Sequence, residues 1–285
     1  MENNKDLINL EKKIALPLLF DKENLGASFD SNLVTYLKYW EKTLLTNGLW
    51  KSLKIGSGEN VDLWTYRNPN SVLYNGYQGI YWNDKKLLEL ISEHNIRPDV
   101  TMLHAGTIEN EYIRTEGHEH LSGLPEIYET VYGENGYLLF KPSKENIEDI
   151  ADVFFVFAGA GDHVLFPPGY QHISVNTGKE AFLMTDWVST KANPDFKYIK
   201  GHNGAPYWVL REKNGEPKFE RNPRYRGKVP EIRPVKPAEV VELSNGIKIK
   251  RGEPMFNLVR EGKIEALDFL NDSSDSEIYE KAFVQ

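Results

Sequence analysis

Short strands separated by glycine and proline turns fill residues 117–176, and this stretch constrains the fold more than any other part of the chain. Residues 129–132 and 137–140 flank a Gly-Glu-Asn-Gly segment, which predicts a hairpin turn at 133–136. Further turns are predicted at Gly161-Asp162 and at Pro167-Pro168-Gly169. Strands this short, with turns this close together, are typical of a small β-barrel.

Three histidines and a glutamate within this stretch have the chemistry of a metal site. His118 and His120 are one residue apart, so on a strand both side chains lie on the same face. A lone histidine is more often a hydrogen-bonded core or surface residue, but together with Glu126 and His172 a metal site is favoured. Nitrogen and oxygen ligands without sulfur suit manganese, iron, zinc or nickel, and affinity order does not choose among them.

Other titratable residues nearby compete for the same role. Glu119 and Glu129 are expected to face away from the histidines on regular strands, and Glu134 is a third rival, so Glu126 is the preferred carboxylate. His104 and His202 fall outside the set. His163 adjoins the turn at 161–162 and is predicted to lie on the surface.

The same residues resemble the two motifs of the cupin superfamily. Within that superfamily the chain most resembles the metal-dependent glucose-6-phosphate isomerase family first associated with archaea, over residues 97–226. The first cupin motif matches at Gly117, His118, His120, Glu126 and Gly133, and the second at Gly161, Pro167, Gly169, His172 and Asn176. The isomerase family is matched by residues 115–120, 126–128, 167–172, 175–180 and 222–225.

The resemblance implies a mainly β fold: a cupin barrel (double-stranded β-helix, or jelly roll) with N-terminal helices and extra flanking strands. It implies one divalent ion per chain and interconversion of glucose 6-phosphate and fructose 6-phosphate, a step of glycolysis and gluconeogenesis. Glu126 would move the proton between C1 and C2, although a metal-assisted hydride shift is an alternative that the sequence leaves open.

The resemblance also implies the substrate-binding residues. It places Thr101 and Thr115 where the family holds the phosphate, with Gly117 offering its backbone amide. Taken singly, either threonine is more simply a β-branched strand residue. Tyr128 shares a face with Glu126 and either lines the sugar pocket or fills the barrel.

The chain departs from the isomerase pattern at two points. Asn193-Pro194-Asp195 stands where the family has a histidine, and Trp187-Val188 stands near the position of a pocket tyrosine. Two other functions therefore stay open: a metal-dependent cupin oxygenase, and a cupin that binds sugar phosphates without turnover.

Three parts are predicted along the chain. Residues 1–96 form an N-terminal extension packed on the barrel, 97–226 form the barrel with its metal site, and 227–285 form a C-terminal extension with a hairpin at 240–250. Helices are expected through Leu33, Leu37, Trp40 and Leu44, and again from residue 83 to about residue 95. Residues 50–82 are expected as strands, 189–206 as a loop and 230–237 as a linker.

Composition excludes several classes of protein. The 285 residues carry a net charge of −8, so there is no overall basic field for nucleic acid or an anionic membrane. Cysteine is absent, which excludes disulfides and thiolate metal sites. Residues 1–6 are polar and do not resemble a signal peptide, so a cytoplasmic location is expected. The expected partners are a small sugar phosphate and, from the resemblance, a second copy of the chain in a homodimer.

Overall fold

The computed structural model describes residues 7–15, 18–22, 26–29, 34–44, 72–82, 85–274 and 277–284. Strands dominate this part of the chain, as the sequence predicts. Within the same ranges, no helix has both the length and the apolar character needed to cross a bilayer. The predicted strand around residues 61–66 lies outside the described residues.

The secondary-structure elements of the described ranges are numbered in chain order. The strands are β1 (Leu7–Asn9), β2 (Leu18–Asp21), β3 (Gly26–Phe29), β4 (Val34–Leu44), β5 (Val72–Trp82), β6 (Ile96–Leu103), β7 (Thr107–Ile108), β8 (Glu111–Tyr112), β9 (Glu119–His120), β10 (Glu126–Tyr132), β11 (Glu134–Pro142), β12 (Ile150–Gly159), β13 (His163–Phe166), β14 (Gln171–Val175), β15 (Phe182–Ser189), β16 (Pro194–Asp195), β17 (Tyr207–Arg211), β18 (Pro217–Arg221), β19 (Arg233–Pro237), β20 (Val240–Glu242), β21 (Lys248–Lys250) and β22 (Phe283–Val284). The helices are α1 (Glu11–Ile14), α2 (Lys85–Glu93), α3 (Lys197–Gly201), α4 (Phe256–Arg260) and α5 (Glu277–Glu280), with 3-10 helices at Ser244–Gly246 and Ile264–Asn271.

Two sheets that face each other form the barrel. One has six strands in the order β13-β10-β15-β6-β5-β4, and the other has five in the order β14-β11-β12-β19-β22. Neighbouring strands are antiparallel in both sheets, except that β12 and β19 run parallel. Side chains from the inner faces of both sheets, such as Tyr128, Met184, Tyr137 and Leu139, pack into one buried cluster. This interior is the space in which a cupin-type site forms.

Two further hydrophobic clusters cover the outsides of the sheets. On the six-stranded sheet, the outward side chains of Ile127, Leu183 and Trp187 pack against the N-terminal strands and the segment that contains α4. On the five-stranded sheet, Phe140 and Phe155 pack against residues such as those of β17. Alternation of side chains along each strand therefore builds three cores from the two sheets.

The chain crosses from one barrel sheet to the other at Gly133, at Gly161-Asp162 and at Pro167–Gly169. β10 and β13 belong to the six-stranded sheet, whereas β11, β12 and β14 belong to the five-stranded one. The predicted hairpin at 133–136 is therefore wrong: Gly133 alone makes the turn, and residues 134–136 already pair with β12. Gly133 has a φ of +86°, and a Cβ there would lie 2.9 Å from the Ala181 carbonyl oxygen. A tight crossing rather than a hairpin explains why glycine stands at this position.

The helix predicted through residues 33–44 is also wrong, because the structure has strand β4 there, paired with β5. Its apolar residues fit a helical spacing. The segment is also rich in β-branched and aromatic residues (Val-Thr-Tyr-Leu-Lys-Tyr-Trp), which favour strands once a partner strand is available. The helix expected from about residue 83 is confirmed as α2, which ends before Asn95 at a φ of +53°.

The C-terminal predictions have mixed outcomes. The hairpin is confirmed: β20 pairs with β21, and Asn245 and Gly246 make the turn with positive φ angles. The loop expected at 189–206 contains β16 and α3, and the expected linker contains β19, which lies between β12 and the edge strand β22 in the five-stranded sheet. The three-part division of the chain stays a prediction.

Candidate metal centre

Four predicted site residues meet inside the barrel. One nitrogen of each of His118, His120 and His172 and one oxygen of Glu126 all lie within 4.8 Å of one another. Glu126 opens β10 of the six-stranded sheet, and His172 lies on β14 of the five-stranded sheet. Residues far apart in the chain therefore converge on one point between the two sheets.

The backbone fixes the relative positions of two of these histidines. The amide of His118 donates to the carbonyl of His172 at 3.2 Å, and the amide of His172 donates back to His118 at 3.0 Å. Gly117 precedes this pair with a φ of +82°, and a Cβ at that position would lie 2.3 Å from Ile173 Cγ1. Glycine is needed here because the strand approaches β14 too closely for any side chain.

Hydrogen bonds and burial prepare the imidazoles for ligation. Nδ1 of His120 lies 2.9 Å from the carbonyl oxygen of Leu124, so Nδ1 carries the proton and Nε2 is left as an acceptor. Burial, and then the neighbouring imidazoles, lower the pKa of His172 well below its usual value and the pKa of His118 to about 3. Both rings are therefore neutral at physiological pH, the form that binds metals.

The group fits a divalent ion. Oε2 of Glu126 and Nε2 of His172 are buried and have no hydrogen-bond partner among the described residues. They lie 3.3 Å apart, and Nε2 of His120 is 3.8 Å from the same carboxylate oxygen. Buried polar atoms normally have partners, and three imidazoles with one carboxylate match the ligand preferences of a first-row divalent metal. The group is thus able to hold a metal ion.

The other histidines of the sequence lie elsewhere. His94 contacts Asp268, and His202 stacks on Tyr225 with ring centroids 4.3 Å apart. His163 was predicted on the surface, which is wrong: only 2% of it is exposed, and burial lowers its pKa to about 4. Its ring packs beneath the C-terminal segment, where it forms a hydrogen bond with the backbone of Glu253. No local pattern around His163 predicts this cover, because the covering segment lies about ninety residues further along the chain.

The rival carboxylates lie outside the group of four. Glu129 is buried on the outer side of the sheet, where its carboxylate accepts hydrogen bonds from the Thr185 hydroxyl and the Met255 amide. Burial raises the pKa of Glu129 to about 8. Glu119 is half-buried, and burial, followed by the nearby carboxylate of Asp195, raises its pKa.

A cavity surrounds the four residues and contains every predicted substrate-binding residue. Thr101, Thr115, Gly117 and Tyr128 all line it. Thr115 is held in place because its hydroxyl accepts a hydrogen bond from the Ser174 amide at 3.1 Å. Tyr128 stacks on Phe166 with a centroid separation of 4.3 Å, so it both lines the cavity and contributes to the core.

The cavity also contains charged residues that the sequence analysis missed. Arg97, Asp99 and Asp186 line it beside Glu126. Nε and Nη2 of Arg97 donate to the carboxylate of Asp99 at 2.8 and 2.9 Å, and the Gly79 amide donates to it at 2.7 Å. The signal was available: Arg97 and Asp99 alternate with buried Val100 and so share the face of Thr101.

Burial shifts the pKa values of both aspartates. It raises the pKa of Asp99 to about 6, although Arg97 and the Gly79 amide act in the opposite direction. Burial, followed by the carboxylates of Glu126 and Asp99, raises the pKa of Asp186 well above its ordinary value. Two acidic groups next to the candidate ligands are thus held in a poorly solvated environment.

Residues 192–196, which we call the strap, form part of the cavity wall. Within the strap, β16 pairs with β9, and Ala192, Pro194 and Phe196 line the cavity. The ring of Phe196 lies 5.4 Å from that of His118. The strap occupies the region where the isomerase family has its additional histidine. Trp187 points away from the cavity and stacks on Phe256, so it does not replace a pocket tyrosine.

The topology and the ligand set together define the class. Two facing sheets linked by crossing turns make this a cupin fold, and the three-histidine, one-carboxylate group between them could hold a metal ion. The profile of the glucose-6-phosphate isomerase (GPI) family matches residues 52–226, more than half of the chain. The chain belongs to the glucose-6-phosphate isomerase family.

Individual relatives agree with the family assignment. The glucose-6-phosphate isomerase of Thermococcus kodakarensis is 32% identical over 127 residues, which are 44% of this chain and 62% of that protein. The protein of the same name from Pyrococcus abyssi is 30% identical over 127 residues, with the same coverage of both chains. This chain thus spans less than two thirds of the length of these relatives. Among solved structures, the 7S globulin of Momordica charantia overlaps 44% of this chain and 32% of its own, with 15% identity and a TM-score of 0.33.

Proposed function

We propose that this protein is a metal-dependent aldose–ketose isomerase that interconverts glucose 6-phosphate and fructose 6-phosphate. The observation that carries the proposal is the convergence of His118, His120, Glu126 and His172 in a cavity that also contains Thr101 and Thr115. Membership of the isomerase family, and relatives that carry this name, support the same substrate.

The four side chains are proposed to hold one divalent ion. When bound, such an ion supplies Lewis acidity to the C1 and C2 oxygens of the sugar. Iron, manganese, zinc and nickel all suit the ligand set. The neutral imidazoles and the Nδ1 bond of His120 orient the ligands before any ion arrives.

The proton transfers are assigned to Glu126. Its carboxylate would take the proton from C2 of the aldose and return it to C1, while the hydroxyl proton on O2 passes to O1, so that atoms and charge balance. In the alternative route the hydrogen at C2 moves to C1 as hydride, and Glu126 only holds the ion. Turnover of glucose 6-phosphate deuterated at C2 separates the two routes, because only the proton route exchanges deuterium with solvent.

The phosphate is proposed to bind at the other end of the cavity. The Thr101 and Thr115 hydroxyls and the Gly117 amide are neutral donors, which suits a protein with a net charge of −8 and no overall cationic field. The cavity has a volume of about 50 Å³, which is too small to enclose a hexose phosphate, so substrate binding requires the cavity to widen.

A coupled assay tests the proposal. Protein loaded with manganese or iron should convert glucose 6-phosphate to fructose 6-phosphate, and Glu126→Gln should lose this activity. Glu212→Gln, at an exposed glutamate, is the matched control. Absence of turnover by metal-loaded wild-type protein would overturn the proposal. Oxygen consumption in the same preparation would instead indicate an oxygenase, and binding without turnover a sugar-binding protein.

The remaining expectations stay predictions. These are the identity of the metal, the homodimer, the place in glycolysis and gluconeogenesis, and the cytoplasmic location. Metal analysis of the purified protein and its mass in solution test the first two directly.

A further inference from the structure

We propose that Asp99 and Asp186 form a subsite for the middle hydroxyl groups of the sugar, between the metal end and the phosphate end of the cavity. This inference rests on the proposed function, because it assumes that a sugar phosphate lies along the cavity. The two aspartates would select substrates that carry hydroxyl groups at C3 and C4.

Strand pairing on the six-stranded sheet sets out three rows of side chains that point into the cavity. In the first row Glu126 pairs with Val188, which pairs with Arg97. In the second row Tyr128 pairs with Asp186, which pairs with Asp99. In the third row Met184 pairs with Thr101. Residues two apart on a strand are about 6.6 Å apart, so the second row lies midway along the cavity.

Side chains of the facing five-stranded sheet contact the first and the third row. His172 meets the first row, with Nε2 at 3.3 Å from Oε2 of Glu126. Ser174, two residues further along β14, meets the third row, with its hydroxyl 3.5 Å from the Met184 sulfur. The Ser174 amide bonds to the Thr115 hydroxyl, which places that threonine at the same end as Thr101. The candidate metal ligands and the two threonines therefore lie at opposite ends, and Gly117 lies next to His118.

The middle row has what sugar recognition requires. A carboxyl group accepts hydrogen bonds from hydroxyl groups when ionised and can also donate one when protonated, so either form can bind a sugar hydroxyl. Arg97 and the Gly79 amide fix the carboxylate of Asp99 in one orientation. Asp186 is 4% exposed and lies directly opposite Asp99 on the neighbouring strand. A sugar held at its two ends presents its central hydroxyls to this row.

The arrangement is costly without a ligand. Two carboxyl groups directly opposite each other on neighbouring strands cannot both ionise without repulsion, and buried carboxyl groups lose the hydration that water provides. Arg97 donates to the carboxylate of Asp99 at 2.8, 3.1 and 2.9 Å, and Asp186 lies close enough to interact electrostatically with both Arg97 and Glu126. Since apolar residues would fill this position at lower cost, two adjacent aspartates on the cavity wall indicate a binding role.

Binding of a hexitol phosphate tests the subsite without requiring turnover. Glucitol 6-phosphate cannot be isomerised, so its affinity for the metal-loaded protein can be measured by calorimetry beside those of its 3-deoxy and 4-deoxy analogues. We expect at least one deoxy analogue to bind about 10- to 100-fold more weakly to the wild-type protein, the size of a hydrogen bond to a charged group.

Substitutions then locate the effect. In Asp99→Ala or Asp186→Ala, the ratio of the Kd values of the deoxy analogue and glucitol 6-phosphate should fall below about threefold. The reason is that the hydroxyl group has already lost its hydrogen-bond partner in the variant. Asp99→Asn and Asp186→Asn should restore part of the difference. Asp268→Ala, at a half-exposed aspartate remote from the cavity, should leave it unchanged. Metal content and Tm of each variant are measured alongside.

Two outcomes would overturn the inference. One is equal binding of glucitol 6-phosphate and both deoxy analogues by the wild-type protein, or no binding of any of them. The other is a variant in which the affinity for every ligand falls by the same factor, because this result indicates a structural role for the aspartate. A different result would refute only the isomerase proposal: the protein would still discriminate between the hydroxyl and deoxy ligands, but it would not turn over glucose 6-phosphate.

Discussion

Protonation is the residue-scale property that decides what the barrel can bind. Burial keeps His118 and His172 neutral, and the bond to Leu124 leaves Nε2 of His120 as an acceptor. Adding a proton to any of these buried rings creates a poorly solvated charge, whereas a divalent ion satisfies all of them together with Glu126. The local chemistry thus favours a metal over protonation.

Substitution of a metal ligand should therefore lower the metal content and leave the fold intact. We expect His172→Ala to weaken metal binding by more than the about 10- to 100-fold that follows loss of an outer partner, because it removes a direct ligand. Elemental analysis after dialysis gives the metal content per chain. His94→Ala, at a histidine paired with Asp268 away from the cavity, should retain the metal. Full metal content in His172→Ala would contradict the ligand assignment.

The phosphate donors should affect binding more than chemistry. Thr101→Val keeps the shape and the β-branch but removes the hydroxyl, so KM for glucose 6-phosphate should rise about 10-fold or more. The phosphate keeps its charge during the reaction, so kcat should change little. Thr190→Val, at an exposed threonine, is the control in the same steady-state assay. A fall in kcat with KM unchanged would argue against a phosphate contact.

The four candidate ligands could be found from the sequence because their spacing and turns form a recognisable pattern. Arg97, Asp99 and Asp186 were within reach of the alternation rule, since each shares a strand face with a cavity residue. Alternation does not predict that these residues lie close together, because their proximity depends on the register between β6 and β15, which lie about eighty residues apart. Long-range register depends on the whole fold and not on local sequence.

At the scale of elements, the tight crossings between the sheets determine where each strand lies. Gly133 carries the chain from one sheet to the other in a single residue, and Gly161-Asp162 and Pro167–Gly169 do the same for β13 and β14. The turns themselves were predicted from glycine and proline. A hairpin and a crossing turn use the same residues, however, so the sheet to which the next strand belongs was not readable.

The crossing at Gly133 should be intolerant of a side chain. We expect Gly133→Ala to destabilise the fold by about 1 to 3 kcal/mol, because alanine is strained at positive φ and its Cβ would press on the Ala181 carbonyl. Chemical denaturation measures the change. Gly201→Ala in α3 has no neighbouring atom within 4 Å of the added Cβ, so it should be neutral or slightly stabilising. Equal stability of both variants would refute the steric argument.

The strand β4 shows a limit of pattern analysis. Leu33, Leu37, Trp40 and Leu44 fit a helix, and the same segment fits a strand by composition. Pairing with β5 decides between the two, and no local rule contains that information. The fold class could be predicted because it rests on many turns and motifs, whereas single elements at the periphery depend on their neighbours.

At the scale of the whole molecule, the C-terminal segment is bonded to the back of the barrel by two buried titratable residues. Glu129 accepts a hydrogen bond from the Met255 amide, and His163, its pairing partner on β13, bonds to the backbone of Glu253. Apolar residues of the 3-10 helix, including Leu267 and Leu270, are buried beside them. The C-terminal layer is therefore part of the core.

These two residues make stability depend on pH in opposite directions. The pKa of Glu129 is about 8 in the fold and 4.5 ordinarily, so its stabilising effect is complete below about pH 4.5 and is lost as pH rises towards 8. The pKa of His163 is about 4 in the fold and 6.5 ordinarily, so its effect is complete above about pH 6.5 and is lost as pH falls towards 4. The two slopes oppose each other between pH 4.5 and 6.5.

Glu129→Gln should remove the alkaline loss of stability. The amide cannot ionise, so the variant should have a higher Tm than the wild type at about pH 9 and a similar Tm at about pH 5. Each kcal/mol corresponds to about 2 to 4 °C for a chain of this size. Thermal melts across this range, with Glu212→Gln as the exposed control, check the sign. A constant difference in Tm at every pH would contradict the ionisation argument.

Both sheets supply candidate ligands. Glu126 lies on β10 of one sheet and His172 lies on β14 of the other, and the backbone of His172 pairs with that of His118. An ion held between them would bridge the two halves of the barrel, so the halves could not separate without releasing it. Each tenfold rise in free metal above the Kd should then add about 1.4 kcal/mol to the free energy of unfolding. Melts at buffered metal concentrations would show Tm climbing with the logarithm of supply. The amount of folded protein in a cell would therefore depend on the supply of its metal.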